Sequence, residues 1–492
     1  MTREEILAVY EQGPEAVVAL VTMLLERIAA LEARVSALEA RLAKDSHNSA
    51  TPPSRDPVRR PRSLRGRSGK PPGGQPGHGG TTLALRAAPD AVVTHRPARC
   101  RRCGAAFDAA LGTAGEGSAE GSAERRQVFD LAPPRLVVTE HRVADRQCAA
   151  CGAWARGDFP AGVRATVQYG PEVRALAVYL TTQQLLPVAR AAEMLRHLTG
   201  QPVSEATVLA AERRAAAAAA PVTAWIHAGL RRAPVLGVDE TSVFVARRGW
   251  WLHTASTPAL TLYTVLPRRG RAAYAEIGLL ADFPGTVVHD GCQAFGTAAA
   301  AAYPADPGRH ALCGVHLLRE LTFLAEEYGL GWAARLKRSL LGMKAAVARA
   351  KAAGARALAR AALARYRRRY AQLVAEGEAA EPPPERRPGT TRGKLKRTPA
   401  ARLLLRLRRD QGWVLRFLAD FAVPFDNNEA ERDLRMMKVE QKVSGGFRTA
   451  RGAATFAALR SYVVTARKQG HSALDALRDL FAGHPFCPAV PE

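Results

Sequence analysis

Three acidic side chains hold positions from which a metal-dependent reaction could be run. Asp239 and Asp290 each close a short apolar run, Val235-Leu236-Gly237-Val238-Asp239 and Gly285-Thr286-Val287-Val288-His289-Asp290-Gly291. Such runs read as buried strands. A carboxylate ends one when the strand opens into a cleft, where α/β sheets place their ligand-binding residues. The third acid, Glu431, shares a helical stripe with Asn428, Arg435 and Lys438, since residues three, four and seven apart lie on one face. An acid flanked by an amide, a guanidinium and an ammonium suits metal coordination with the cations holding phosphates; it equally suits a solvated face with internal ion pairs. Three clustered acids repel one another, so such a cluster normally needs divalent cations.

Composition points to a polyanionic partner. The chain has 492 residues, 47% of them hydrophobic, and a formal net charge of +26. That length buries a real core and divides into about three domains or more. No apolar run approaches the roughly 20 residues of a membrane span, and Met1-Thr2-Arg3-Glu4-Glu5 carries no secretory signal. A soluble, cytoplasmic protein is expected. Four of the seven cysteines fall in two Cys-x-x-Cys pairs, which suits metal binding in a reducing compartment better than disulfides.

The acids need elements to position them. Asp426, Asn427 and Asn428 are good N-caps for the helix that carries Glu431. Apolar stretches at Val235–Val245, Trp250–Ser256 and Leu260–Leu266 read as three successive strands, followed by a helix and the Asp290 strand. His310-Ala311-Leu312-Cys313 reads as another strand, entering a helix with His316, Arg319 and Glu320. Cys313 and His316 have metal-ligand spacing, but two residues do not close a site, and a buried Cys beside a polar His is the expectation. His316 and Arg319 are placed instead as contacts to DNA or supports of the acids. Asp290 and Glu431 are 141 residues apart, which demands an insertion. Gly329–Asp420 supplies it as Ala-, Leu- and Arg-rich helices broken at Glu378–Ala400, with basic runs at Tyr366–Tyr370 and Lys394–Arg397 that read as DNA-facing or plainly solvated. Ala473–Ala482 is a short amphipathic helix.

Upstream, Val17, Val21, Leu24, Ile28, Leu31, Val35, Leu38 and Leu42 form a heptad seam, whose mostly β-branched residues facing Leu favour a parallel two-stranded coil; a lone amphipathic helix packed on its own domain is the other reading. Ser46 to about Gly80 is Pro-, Gly- and Ser-rich and basic, a flexible linker that meets phosphates or merely tethers. Cys100-Arg101-Arg102-Cys103-Gly104 and Cys148-Ala149-Ala150-Cys151-Gly152 have the form of zinc knuckles, so Cys100, Cys103, Cys148 and Cys151 are expected to hold structural Zn2+ despite the 44 residues between the pairs, with Gly112–Glu124 as an excursion. A helix from Leu185 through Leu198, the turn Thr199-Gly200-Gln201-Pro202 and a helix capped by Ser204 read as helix-turn-helix, presenting Ser204, Thr207 and Arg213 to DNA; many such hairpins never see DNA.

Taken in order, Gly237-Val238-Asp239-Glu240-Thr241, Trp250-Trp251-Leu252-His253, His289-Asp290-Gly291, Cys313-Gly314-Val315-His316-Leu317-Leu318-Arg319, Asp426-Asn427-Asn428, Glu431-Arg432 and Lys438 resemble the insertion sequence 66 family of bacterial DDE transposases. The run Lys70–His78 is similar to it as well. The resemblance implies that Asp239, Asp290 and Glu431 bind two catalytic Mg2+ ions. The acid followed directly by Arg matches, so Glu431 is preferred to Glu429, and Lys438 fits the Glu-to-Lys spacing of related transposases. Cys292 departs from the pattern, which has a larger residue there. The implied chemistry is in-line attack on DNA phosphates by water and then by a DNA 3′-hydroxyl. Lys438, Arg435 and Arg432 would neutralise phosphate charge, and Asn428, His316, Arg319 and Lys442 would touch DNA.

The expected architecture is multidomain α+β. It comprises a coiled-coil helix at 1–45, a basic linker at 46–82, a zinc-ribbon-like domain at 83–165 and a helix-turn-helix domain at 166–225. A ribonuclease H-like mixed α/β catalytic domain at 226–328 and 421–470 is interrupted by the helical insertion 329–420, and a tail at 471–492 follows. Implied partners are double-stranded DNA at element ends and target, a second copy of the chain, and small accessory transposition proteins. A sequence-specific DNA-binding regulator leaves the acids idle. A structure-specific nuclease of the same fold uses them equally well.

Overall fold

The computed structural model describes residues 2–45, 47–49, 83–93, 95, 98–106, 125–130, 136–291, 295, 306–381 and 397–489. Nearly all of the expected basic linker, the Gly112–Glu124 excursion, Cys292 and Lys394–Lys396 lie outside them. The chain forms two units: Arg65–Thr139, and Met1–Leu64 together with Glu140–Glu492. In the smaller unit Gln127 pairs its side-chain amide with both backbone groups of Arg86, at 2.7 and 2.8 Å.

The larger unit opens with α1 (Arg3–Glu11), started by a Thr2–Glu5 capping box, and α2 (Pro14–Leu42). The heptad seam runs along α2 uncovered: Val21, Leu24, Ile28, Leu31, Val35 and Leu38 are 39% to 54% exposed. The end of the helix docks on the body. There Ala40 is buried, the Lys44 ammonium sits over the Phe323 ring, and His47 faces Glu326 at 3.3 Å.

A small antiparallel hairpin, β1 (Asp145–Gln147) with β2 (Trp154–Arg156), precedes the helices α3 (Pro171–Val178), α4 (Val188–Thr199) and α5 (Glu205–Arg231). Gly200 takes the left-handed conformation that ends α4, and Ser204 caps α5 by accepting the Thr207 N–H. Helix α5 runs through Pro221 to Arg231, so the boundary expected at 225 falls inside it. Val208, Ala211, Ala215, Val222 and Ile226 along α5 share one core with Leu236 and Val238 of the sheet.

That sheet contains β3 (Val235–Val245), β4 (Arg248–Ser256), β5 (Thr261–Leu266), β6 (Thr286–His289) and β7 (His310–Leu312) in the order β5-β4-β3-β6-β7. The first three strands are antiparallel, and β6 and β7 run parallel to β3. Helix α6 (Arg271–Ile277) connects β5 to β6. After β7 come α7 (Gly314–Glu327), α8 (Gly331–Ala352), α9 (Arg360–Ala380), α10 (Pro399–Arg409), α11 (Gln411–Val414) and α12 (Arg416–Ala419). These helices bury a core of their own around Leu336, Leu340, Met343, Leu373 and Leu407. Tyr370, from the expected basic run, belongs to it and donates its hydroxyl to the Leu407 carbonyl at 2.9 Å, while Arg367–Arg369 stay exposed. The chain then returns to the sheet with α13 (Asn428–Ser444), α14 (Ala450–Lys468) and α15 (Ala473–Ala482). Among the described residues no helix is long and apolar enough to cross a membrane.

Strand pleating sorts β3 into two faces. Leu236 and Val238 enter the α5 core, whereas Val243 and Val245 pack with Leu434 and Met437 of α13. Gly237 lies on the α13 side, and its missing Cβ leaves the space that Asn427 Oδ1 occupies. Gly314 plays the same part at the start of α7, where a Cβ would overlap the Phe425 ring. The substitution Gly314→Ala should therefore overpack this junction and cost about 1–3 kcal/mol, read as a lowered urea midpoint at unchanged slope; an unchanged midpoint would mean that the Phe425 ring moves aside freely.

Candidate active site

Two of the acids, Asp239 and Asp290, lie where the parallel part of the sheet ends. Strand β6 pairs with β3 from Val235↔Thr286 to Gly237↔Val288 and then stops. Asp239 and Asp290 lie two residues beyond that last pair on their respective chains, which places them as register neighbours at the open end. Asp239 closes the apolar run but not the strand: β3 spans Val235–Val245, the stretch expected as a strand, because its other edge still has β4 to bond. Pairing is lost on one side only, and Asp239 stands at that loss.

Helix α13 brings the third acid. Asn427, buried to 4% exposure, donates its side-chain N–H to the Val238 carbonyl at 2.8 Å and its backbone N–H to Cys313 Sγ at 3.2 Å. Its side chain therefore joins β3 to α13 rather than capping the helix, as the sequence suggested. One turn on, Glu431 Oε1 receives the Cys313 thiol at 3.6 Å and lies 3.6 Å from His316 Nδ1. Burial, the charge of Asp290 and the charges of Glu431 and Glu240 push the Asp239 carboxyl up to about 7, against a single backbone N–H from Glu240 at 2.8 Å that favours ionisation. Asp290 at the end of β6 and Glu431 on α13 thus both act on Asp239 of β3.

The walls are firm. His289 accepts the Gly291 N–H on Nδ1, so its ring proton is assigned to Nε2, which faces His310 Nδ1 at 3.1 Å. Phe295 stacks on His289 and Trp413 on His310. Burial and the neighbouring His310 keep His289 neutral, well below the usual imidazole range. On the far flank of α13, Asp433 accepts hydrogen bonds from Ser256, Thr261 and Lys468 at 2.6–2.9 Å.

The other predicted residues divide. Glu429 faces Lys468 and Arg432, which outweigh its burial and hold it below the usual carboxylate range. Arg432 is thereby committed within its own helix. Asn428, Arg435 and Lys442 are exposed on α13, and Lys438 is half-buried. Arg319, one turn beyond His316, keeps its Nε buried with no hydrogen bond among the described residues. Ser204 and Thr207 use their hydroxyls on each other and on the α5 cap, and Arg213 is exposed.

The cysteine turns are alike. Cys100 N–H bonds the Ala105 carbonyl at 2.8 Å and Gly104 N–H the Cys100 carbonyl at 2.9 Å; Cys148 repeats this with Ala153 and Gly152 at 2.8 Å each. In both, the N–H of the second cysteine, followed by that of the residue before it, lowers the first thiol's pKa. Both turns rest on a glycine at positive φ.

Sequence reasoning missed Asp433, read Asn427 only as a helix cap, and under-read Cys313 with His316. Their spacing was visible, and the third donor that the expectation lacked is Glu431.

A family model described as the Transposase IS66 family matches residues 166–455. A family of unknown function (DUF6444) matches residues 8–84. No curated protein matches the chain.

Because its folded-state pKa is raised, Asp239 stabilises the metal-free protein fully below about pH 4 and loses that contribution as pH rises towards about 7. Without added divalent cation, stability should fall across this window by on the order of 2–4 kcal/mol. Thermal unfolding of wild type against Asp239→Asn isolates the effect, the variant giving the flatter profile. Magnesium at pH 8 should restore the wild type.

Proposed function

We propose, on the premise that the chain belongs to the transposase IS66 family, that it cuts and joins DNA with two Mg2+ ions held by Asp239, Asp290 and Glu431. The observation that carries this reading is the β3–β6 register, which sets Asp239 and Asp290 side by side just past the last parallel pair; burial and the charges of Asp290 and Glu431 push the Asp239 carboxyl up to about 7. The charges that raise it are carboxylates, and carboxylates brought near one another fit hard divalent cations with oxygen ligands. When bound, such ions would polarise the phosphate and activate the attacking oxygen.

The chain's own residues supply the frame. The mixed sheet, read as ribonuclease H-like, fixes the two aspartates at the point where parallel pairing ends. Asn427 sets where α13 starts and hence where Glu431 arrives. Lys438 and Arg435, on the same stripe as Glu431, would neutralise phosphate charge in the transition state. Asn428, Lys442 and Arg319 border that stripe or the neighbouring α7 turn and would hold the DNA backbone. Arg432 is the weaker candidate, since it is paired with Glu429.

The α4–α5 hairpin, with Arg213 on its exposed side, would read the element ends, and each cysteine turn, Cys100 with Cys103 and Cys148 with Cys151, has the form that takes structural Zn2+. The uncovered seam of α2 suits a second copy of the chain, which gives a dimer able to hold two DNA ends.

Strand-transfer assays on element ends separate joining from cutting alone and from binding alone. Asp239→Asn should lower cleavage by about 100-fold or more while leaving end binding in place; equal cleavage by both proteins rejects the assignment. In sedimentation equilibrium, the double substitution Ile28→Asp with Leu31→Asp should turn a dimer into a monomer, and an unchanged mass would refute the coil.

A further inference from the structure

Cys313, His316 and Glu431 each present a ligand atom within 4.8 Å of the others, the one such group among the described residues. Cys313 Sγ and His316 Nδ1 both lie 3.6 Å from the same atom, Glu431 Oε1. A tetrahedral zinc centre has bonds of about 2.3 Å to sulfur and about 2.0–2.2 Å to nitrogen and oxygen, which sets its ligand atoms roughly 3.3–3.5 Å apart. Both measured edges close on that geometry with movements of a few tenths of an ångström.

The surroundings suit a metal better than a simple hydrogen bond. Cys313 is 1% exposed, and its sulfur accepts the Asn427 N–H at 3.2 Å, the kind of contact that steadies a metal-bound thiolate. His316 Nδ1 is buried and makes no hydrogen bond among the described residues. It is aimed at a carboxylate oxygen that it does not reach. Sulfur and imidazole are poor ligands for Mg2+, which takes oxygen, and good ones for Zn2+. The two metals would therefore compete for one side chain, Glu431.

We propose that Cys313, His316 and Glu431 form a Zn2+ site, and that zinc bound there withdraws Glu431 from the cleavage metals and inhibits the enzyme. Binding replaces the thiol proton of Cys313, which leaves to solvent, and a water completes the fourth position. The inhibitory part rests on the reading of Glu431 as a ligand of the cleavage metals; the zinc site itself does not.

The test uses the full-length chain with ZnCl2. After equilibrium dialysis, zinc per chain is counted by mass spectrometry for wild type, Cys313→Ser and His316→Ala. Any zinc in the four-cysteine turns is common to all three, so wild type should hold one ion per chain more than either variant. In cleavage assays with excess Mg2+, each protein normalised to its own zinc-free rate, the variants should need at least about 10-fold more ZnCl2 for half inhibition. Equal zinc counts, or superimposable inhibition curves, overturn the proposal. A chain that cleaves with neither Mg2+ nor Mn2+ sinks the cleavage reading and with it the inhibition, whereas the metal count still decides the zinc site. Should one variant fail to fold, the other gives the same count.

Discussion

A buried amide cut off from water must find its hydrogen bonds in the protein, or cost about 1–3 kcal/mol for each group left unmet. Asn427 finds them in separate elements. Its side chain bonds the Val238 carbonyl in β3, its backbone N–H bonds the sulfur that precedes α7, and its carbonyl starts α13 by accepting from Glu431 at 3.1 Å. The neighbouring Gly314 N–H to Phe425 carbonyl bond, at 2.8 Å, closes the same junction from the other side. Asp239 follows Val238, and Glu431 follows Asn427 by one turn, so this junction fixes the distance between two of the acids. The long helical insertion leaves the sheet after β7 and returns here, and the site tolerates its length because both ends are stitched together at one amide.

Electrostatics and position are linked through that stitch. Carboxylates do not gather unaided, and the folded chain must hold Asp239 against the charges of Asp290, Glu431 and Glu240. Neutral, tightly packed walls do this holding. The His289–His310 pair, enclosed by Phe295 and Trp413, anchors the backbone on which Asp290 follows. A charged histidine there would relieve the acids, but burial denies it the proton. The repulsion on Asp239 is therefore a local cost met by packing elsewhere in the fold.

How much of this was legible follows from which physical signal carried it. The β3 to β5 strands, α13 and α15 announced themselves through periodicity, which depends on residues close in sequence. The seam of α2 did so too, and it lies uncovered along one chain. The apolar run that stops at Asp239 marks where pairing with β6 ends rather than where the strand ends, since β4 carries β3 six residues further, to the Val245 that its alternation indicated. The second helix of the expected hairpin ran past its boundary because nothing between Ala215 and Arg231 ends a helix packed on the sheet, Pro221 included. Cys313 and His316 advertised a ligand pair by spacing, but their third donor lies 118 residues from Cys313 along the chain, and no local pattern records such a meeting. Asn427 looked like a cap because an amide before a helix usually is one.

The rotation of α13 about its axis is the remaining constraint, because 100° per residue decides which side chains face the acids. Asp433 settles it. Its carboxylate takes hydrogen bonds from Ser256 on β4, Thr261 at the start of β5 and Lys468 at the end of α14. Its backbone carbonyl accepts the Tyr263 hydroxyl at 3.0 Å. Both Asp433 and Lys468 have only 10% of their side chains exposed, so this pair is fully committed and would be costly to break. Glu431 lies two residues earlier, about 200° around the helix, on the opposite flank facing Cys313 and His316. Between them Leu434 and Met437 press on the sheet. A helix pinned by one polar cluster could roll about its hydrophobic contact; pinned by two on opposite flanks, it cannot. The side chain nearest the proposed chemistry is thus oriented largely by an aspartate that never faces it.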